Sequence, residues 1–341
     1  MQRHVVFLVH GMGVHPKGWS NAGWKLLNDA YDSLERSHLW PWDEGFERVE
    51  IRFDDCFEQL RDQWKSETGK VLDMLSGGGL QKSAVNRLVD ITDRLGKNDF
   101  VTTHILDVLL YRFVDTVREA VKVKVGREIT NKLSELPTGA PWSIISHSLG
   151  TAVSHDTLHA LAVAGGSSTS AVRPAQLFVT LANVSRALQT DVKAYRSRVR
   201  PALPGQPGAL RHFLDVHHTS DPFPAFWPFE PHDAWPDPAT RSADRFREIS
   251  LTAFSQTNVH AFEHYLRDPA CHVPIFRALT MPELASAEEE TSLRSAFLAQ
   301  YPQHAFDAAR RRLEKIFRKK TGNTRDLVEL LRGLHEETRD D

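Results

Sequence analysis

The turn Ser146-His147-Ser148-Leu149-Gly150 follows the apolar run Trp142-Ser143-Ile144-Ile145. After Ser148 come Leu149, Ala152, Val153, Ala160 and Val163, which are spaced as one helical face. A serine at the tip of a strand-turn-helix unit is placed to act as a nucleophile. Such a turn holds its central residue in a strained backbone conformation, so the residues two positions away must be small. Gly150 meets that demand, and so does Ser146, although Ser146 stands where the pattern G-x-S-x-G has its first glycine. Of the four serines between residues 141 and 156, Ser148 alone occupies the turn. Ser143 lies in the strand, Ser146 is the small flanking residue and Ser154 falls inside the helix.

Acyl transfer also needs backbone N–H groups aimed at the oxygen that becomes negative. One comes from the residue after the nucleophile and another from an early loop. Val9-His10-Gly11-Met12-Gly13 places a glycine turn where the first apolar run, Val5-Val6-Phe7-Leu8-Val9, would leave a sheet. Leu149 and Met12 are therefore the expected oxyanion donors.

Strand-His10-Gly11-Met12-Gly13 followed by Ser146-His147-Ser148-Leu149-Gly150 resembles the α/β-hydrolase superfamily in its lipase and esterase branches. The resemblance covers roughly residues 4–54 and 140–266. It implies a triad in the chain order serine, acid, histidine. The acid is sought in a loop after a later strand. Ala182-Asn183-Val184-Ser185 offers no carboxylate, whereas His217-His218-Thr219-Ser220-Asp221-Pro222 offers Asp221, with Asp215 inside the strand as the weaker candidate. The histidine should follow the last strand, where His260 stands at a loop-to-helix junction and His264 one turn further on. The resemblance thus implies Ser148 as nucleophile, His260 as base and Asp221 as the group that orients it. His147 is typical of lipase-like elbows and packs beneath the site or bonds locally. Phe223, Phe226 and Trp227 lie between acid and base, in a proline-stiffened aromatic stretch continuing to Phe229 and Trp235. That stretch suits either an apolar acyl or aromatic substrate group or simple packing on the core.

The elements that must position these residues read as βα units. Candidate strands are 5–9, 49–53, 142–145, 176–181, 212–217 and 248–254, with helical patterns between most of them. This argues for an α/β fold with a doubly wound, mainly parallel sheet in a single domain. Residues 57–138 are too long for a connection and read as a helical insertion, including one long helix near 104–136. Gly77-Gly78-Gly79 could hinge a lid there, or be a plain surface loop. Residues 281–341 read as a charged C-terminal helical extension. Its stripe Phe306, Ala309, Leu313, Ile316 and Phe317 is bordered by basic residues from Arg310 to Lys320. Such a helix packs on a core with a solvated basic face, or lies on an anionic membrane surface.

Composition narrows the classes. The 341 residues are 41% hydrophobic and 25% charged, with a net charge of −2, so no charge excess points to nucleic acid. The first apolar run is too short for a secretory signal, and no run approaches the ~20 residues of a membrane span. Cys56 and Cys271 imply no disulfide framework. Cytoplasmic placement is the expectation. Seventeen histidines prompt a metal reading, and His217, His218, His260 and His264 are the set to test. No H-E-x-x-H or cysteine-rich set supports one, so neither metal nor cofactor is expected. The expected activity is hydrolysis of a small-molecule or lipid carboxylic ester through Ser148, Asp221 and His260. Lipase or phospholipase action at a membrane surface, and a non-catalytic interaction protein on the same fold, are the alternatives.

Overall fold

The structure is a computed structural model that describes residues 3–77, 100–164, 173–188, 197–221, 224, 228–231, 235, 238–242, 244–256, 258–280 and 284–301. Its described residues fall into two compact units. One comprises residues 3–11, 16–52 and 125–301, and the other residues 12–15, 53–77 and 100–124.

The first unit is built on six strands: β1 (His4–Val9), β2 (Phe46–Ile51), β3 (Trp142–His147), β4 (Ala175–Leu181), β5 (Leu210–His218) and β6 (Phe246–Leu251). Every neighbouring pair is parallel and the order is β2-β1-β3-β4-β5-β6. The apolar run of β1 is buried at all six positions, as a strand covered on both faces must be. Expected and observed strands agree to within a few residues, and the last ends at Leu251, leaving Thr252, Ala253 and Phe254 beyond it.

The helices are α1 (Asn21–Asp32), α2 (Trp42–Gly45), α3 (Asp55–Ser66), α4 (Thr68–Gly77), α5 (Phe100–Phe113), α6 (Asp115–Ser134), α7 (Leu149–Ala164), α8 (Phe262–Arg267), α9 (Pro269–Leu279) and α10 (Ala287–Gln300). On one face of the sheet, Leu8, Val179 and Val216 pack with Leu27 and Tyr31 of α1, Tyr265 and Leu266 of α8, and Ile275 and Phe276 of α9. Helix α7 packs against β1 and β3 and is buried along its first ten residues, save Asp156. From β1 the chain crosses through α1 to β2 on one side, then returns past β1 to β3 and leaves through α7. The strand order reverses between β1 and β3. In open parallel sheets that reversal opens a crevice at the carboxyl ends of the strands, where ligands bind. Ser148 follows β3 at that edge.

The second unit is helical: α3, α4, α5 and the first part of α6. The single helix expected near 104–136 is in fact two, because Val114 leaves the helical path between α5 and α6. Asp115 opens a new first turn there, where a carboxylate is favoured by the helix dipole, and it pairs with Arg118 at 2.7 Å. Inside this unit Arg61 and Asp107 form a buried ion pair at 2.7 Å, and the Gly13 N–H donates to the same carboxylate at 2.8 Å. Gly77 ends α4, and the other two glycines of the triple lie outside the described residues, as does the basic stretch Arg310–Lys320.

Candidate active site

Ser148 has a left-handed backbone, φ +51°, which a serine seldom adopts. Its N–H donates to Leu181 O of β4 at 2.9 Å, and its carbonyl accepts from the Thr151 N–H at 2.8 Å and the Thr151 hydroxyl at 2.7 Å. These bonds hold a conformation that is unfavourable by itself. The turn also explains its glycine. A Cβ on Gly150 would overlap the His10 carbonyl oxygen and lie 2.8 Å from Val9 O, both backbone atoms at the end of β1. Ser146 is fully buried, and its hydroxyl is satisfied by Ser154 Oγ at 2.7 Å. A serine can therefore stand where glycine is usual, because a hydroxyl partner one helical turn into α7 removes the cost of burying it. Ser143 bonds the His4 ring at 2.8 Å. Each of the four serines thus has a distinct place, and Ser148 alone is at the tip.

Ser148 Oγ lies 2.9 Å from His260 Nε2, and His260 Nδ1 lies 2.7 Å from Asp221 Oδ2. A carboxylate only accepts, so Nδ1 carries the hydrogen and Nε2 is left to accept from the serine hydroxyl. Asp221 is fully buried, while the His260 side chain is 19% exposed. A histidine reachable from solvent, backed by a buried acid, can take up and release a proton without losing its orientation. The structure brings Ser148, His260 and Asp221 together across 112 and 39 positions of chain.

Two residues complete the arrangement without having been singled out for these contacts in the sequence. Tyr265 donates its phenol hydrogen to Asp221 Oδ2 at 2.7 Å, the same oxygen that takes His260 Nδ1–H. Burial, then the adjacent Asp221 charge, holds the Tyr265 hydroxyl well above its ordinary pKa, so it stays a donor. His147 donates Nε2–H to the backbone carbonyl of His260 at 2.6 Å, tying the loop that carries His260 to the residue before Ser148. Side-chain direction over a hundred positions has no signature in spacing. Only the placement of His147 in the turn and Tyr265 five residues after His260 hinted at proximity.

Other candidates sit elsewhere. Asp215 accepts from Thr180 and Asn183 on β4 and the loop after it. His264 bonds Ser255 at 3.0 Å and packs edge-on against His218, whose ring bonds Ala253 O. Burial, then the charge of His218, lowers His264 to a pKa of about 4. Among the described residues no group of three His, Cys, Asp or Glu side chains is arranged to hold a metal ion. Phe223, Phe226 and Trp227 lie outside the described residues. Phe229 and Trp235 from the same stretch are buried against Phe213 and Phe246. Leu149 opens α7 directly after Ser148, and Met12 belongs to the second unit.

No helix among the described residues is long and apolar enough to cross a membrane. No family model matches the chain, and no curated protein matches it in sequence. A solved structure of an uncharacterized protein from Pseudomonas aeruginosa is similar at 12% identity and a TM-score of 0.33. The match covers 87% of this chain and spans 50% of that protein's length.

Proposed function

We propose that the chain is a serine hydrolase of carboxylic esters, built as the α/β-hydrolase resemblance implies. One observation carries the reading: Ser148, on a strained turn, is hydrogen-bonded to His260, and His260 to buried Asp221. Ser148 Oγ attacks the ester carbonyl as His260 Nε2 takes its proton. Asp221 steadies the imidazolium so formed. The Leu149 N–H, at the amino end of a 16-residue helix, faces the developing oxyanion with the help of the helix dipole. Met12 is the second donor, assigned from the sequence. His260 then returns the proton to the leaving alcohol. Water, activated by the same nitrogen, releases the acid from Ser148. The chemistry requires no cofactor.

The test is hydrolysis of p-nitrophenyl esters of graded acyl length by the wild-type protein and by Ser148→Ala. The variant should lose roughly four to six orders of magnitude in kcat while keeping its fold. Equal rates for the two proteins would overturn the reading. The acyl length that maximises kcat/KM separates a short-chain esterase from a lipase.

A further inference from the structure

Asp215 is 2% exposed in the middle of the fifth strand, and its two hydrogen bonds fall on one oxygen. Oδ1 accepts from Thr180 Oγ1 at 2.5 Å and from Asn183 Nδ2 at 2.7 Å. Both donors are neutral. Oδ2 has no hydrogen-bond or ion-pair partner among the described residues, and no described Lys or Arg pairs with the carboxylate. Across the parallel ladder its register partner on β6 is Glu248, a second carboxylate, so the sheet supplies repulsion where a counter-charge would be expected. Burial, opposed by the two hydrogen bonds and reinforced by Glu248, raises Asp215 from 3.8 to about 7. A carboxyl this little exposed, paired with no Lys or Arg among the described residues, costs stability unless something offsets it.

Asp215 lines a cavity of about 200 Å³ together with Asn183, His217, Thr219, Pro228 and Phe229. Beside the acid its walls combine the apolar Pro224, Pro228 and Phe229 with the polar Asn183, His217, His218 and Thr219, and the Phe229 ring is fixed in place by Phe213, Trp235 and Phe246. A carboxylate and an aromatic face around a small hollow are the two elements that hold an organic ammonium. A hydroxyl ligand would occupy a lone pair and leave the charge uncompensated, whereas a cation offsets both. The volume is below that of a drug-sized site, so it admits a headgroup and little more. We propose that this cavity binds a small organic cation, an alkyl- or methyl-substituted ammonium group, with Asp215 Oδ2 as its counter-charge and Phe229 as its ring wall. The site lies at the same carboxyl edge of the sheet as Ser148, two strands further along, and does not depend on the hydrolase reading.

Tetramethylammonium and choline are the probes, with neutral 3,3-dimethylbutanol as the isostere, titrated into the full chain by calorimetry at pH 8.5. The cations should bind at least about tenfold more tightly than the alcohol. Phe229→Leu should weaken them by roughly 3- to 30-fold, and Asp215→Asn should abolish the preference for charge. Glu248, His217 and His218 are the other titratable groups packed around Asp215. A Glu248→Gln control should keep most of the affinity, since the bond is to Asp215. If Asp215→Asn does not fold, the Phe229→Leu and isostere comparisons still decide. Equal affinity for cation and alcohol, no binding of either cation, or unchanged binding in Asp215→Asn would each overturn the proposal.

Discussion

Replacing Tyr265 by phenylalanine removes one oxygen from a buried place and isolates a single bond of the candidate site. Tyr265 and Asp221 are both fully buried, and the phenol donates to Asp221 Oδ2 at 2.7 Å. A hydrogen bond to a charged acceptor contributes about 1.5–3 kcal/mol, more than a neutral one. The hydroxyl also accepts a longer bond, 3.3 Å, from the His218 N–H, and that donor would lose its partner. Tyr265→Phe should therefore destabilise the protein by about 2–4 kcal/mol. In an Asp221→Asn background the same change removes a neutral bond, worth about 1 kcal/mol, in place of the charged one, and the His218 loss is common to both backgrounds and cancels. A double-mutant cycle by urea unfolding should then return a coupling of about 1–2 kcal/mol. A loss below about 0.5 kcal/mol in the wild-type background, with the four stabilities additive, would refute the claim that Tyr265 secures the acid.

Gly150→Ala should cost about 3 kcal/mol or more, or leave the protein insoluble, because its Cβ meets the backbone of His10 and Val9. Ser146→Gly should cost only about 1 kcal/mol, since it frees Ser154 of a partner and creates no overlap; denaturant unfolding of the two variants checks the contrast. Acid should destabilise the fold. His4, His264 and His272 are lowered by burial from 6.5 to about 4, so the unfolded chain binds protons that the folded one refuses as pH falls below 6.5. Their contribution is whole above pH 6.5 and is lost towards pH 4, at about 1.4 kcal/mol per pH unit each. Asp215, raised to about 7, acts with the opposite sign, losing its contribution as pH rises from 3.8 to 7. His218 is lowered by burial as well and Asp268 raised by it, so four histidines act against two carboxyls and stability should rise with pH between about pH 4.5 and 6. Urea unfolding at half-unit steps measures the slope, and a flat or falling profile would contradict these assignments.

The elements that show in the sequence are those whose physics is local. Val5–Val9 must be buried on both faces because it has no polar residue to turn outward, and β1 is. The elbow shows because a strained turn admits few residue types on either side of its centre, and Gly150 proves to be a steric requirement. Asp221 and His260 could be placed because the resemblance implies the chain order serine, acid, histidine, and they meet at 2.7 Å. What could not be read depends on side-chain direction. Nothing in the spacing says that His147 reaches the His260 carbonyl, or that Tyr265 shares Asp221 with the histidine. Periodicity alone carried one helix through Val114, because the apolar stripe continues across a break that only the backbone reveals. Asp215 read as a lesser alternative acid, and its idle oxygen becomes visible only once Thr180 and Asn183 are seen to share the other one.

The central claim is that His260 and Asp221 activate Ser148. It is tested most directly by fluorophosphonate labelling of the folded protein, with the modified residue located by mass spectrometry. The expected result is stoichiometric labelling at Ser148, abolished in Ser148→Ala and slowed at least a hundredfold in His260→Ala. No labelling of Ser148, or labelling at an undiminished rate in His260→Ala, would contradict it.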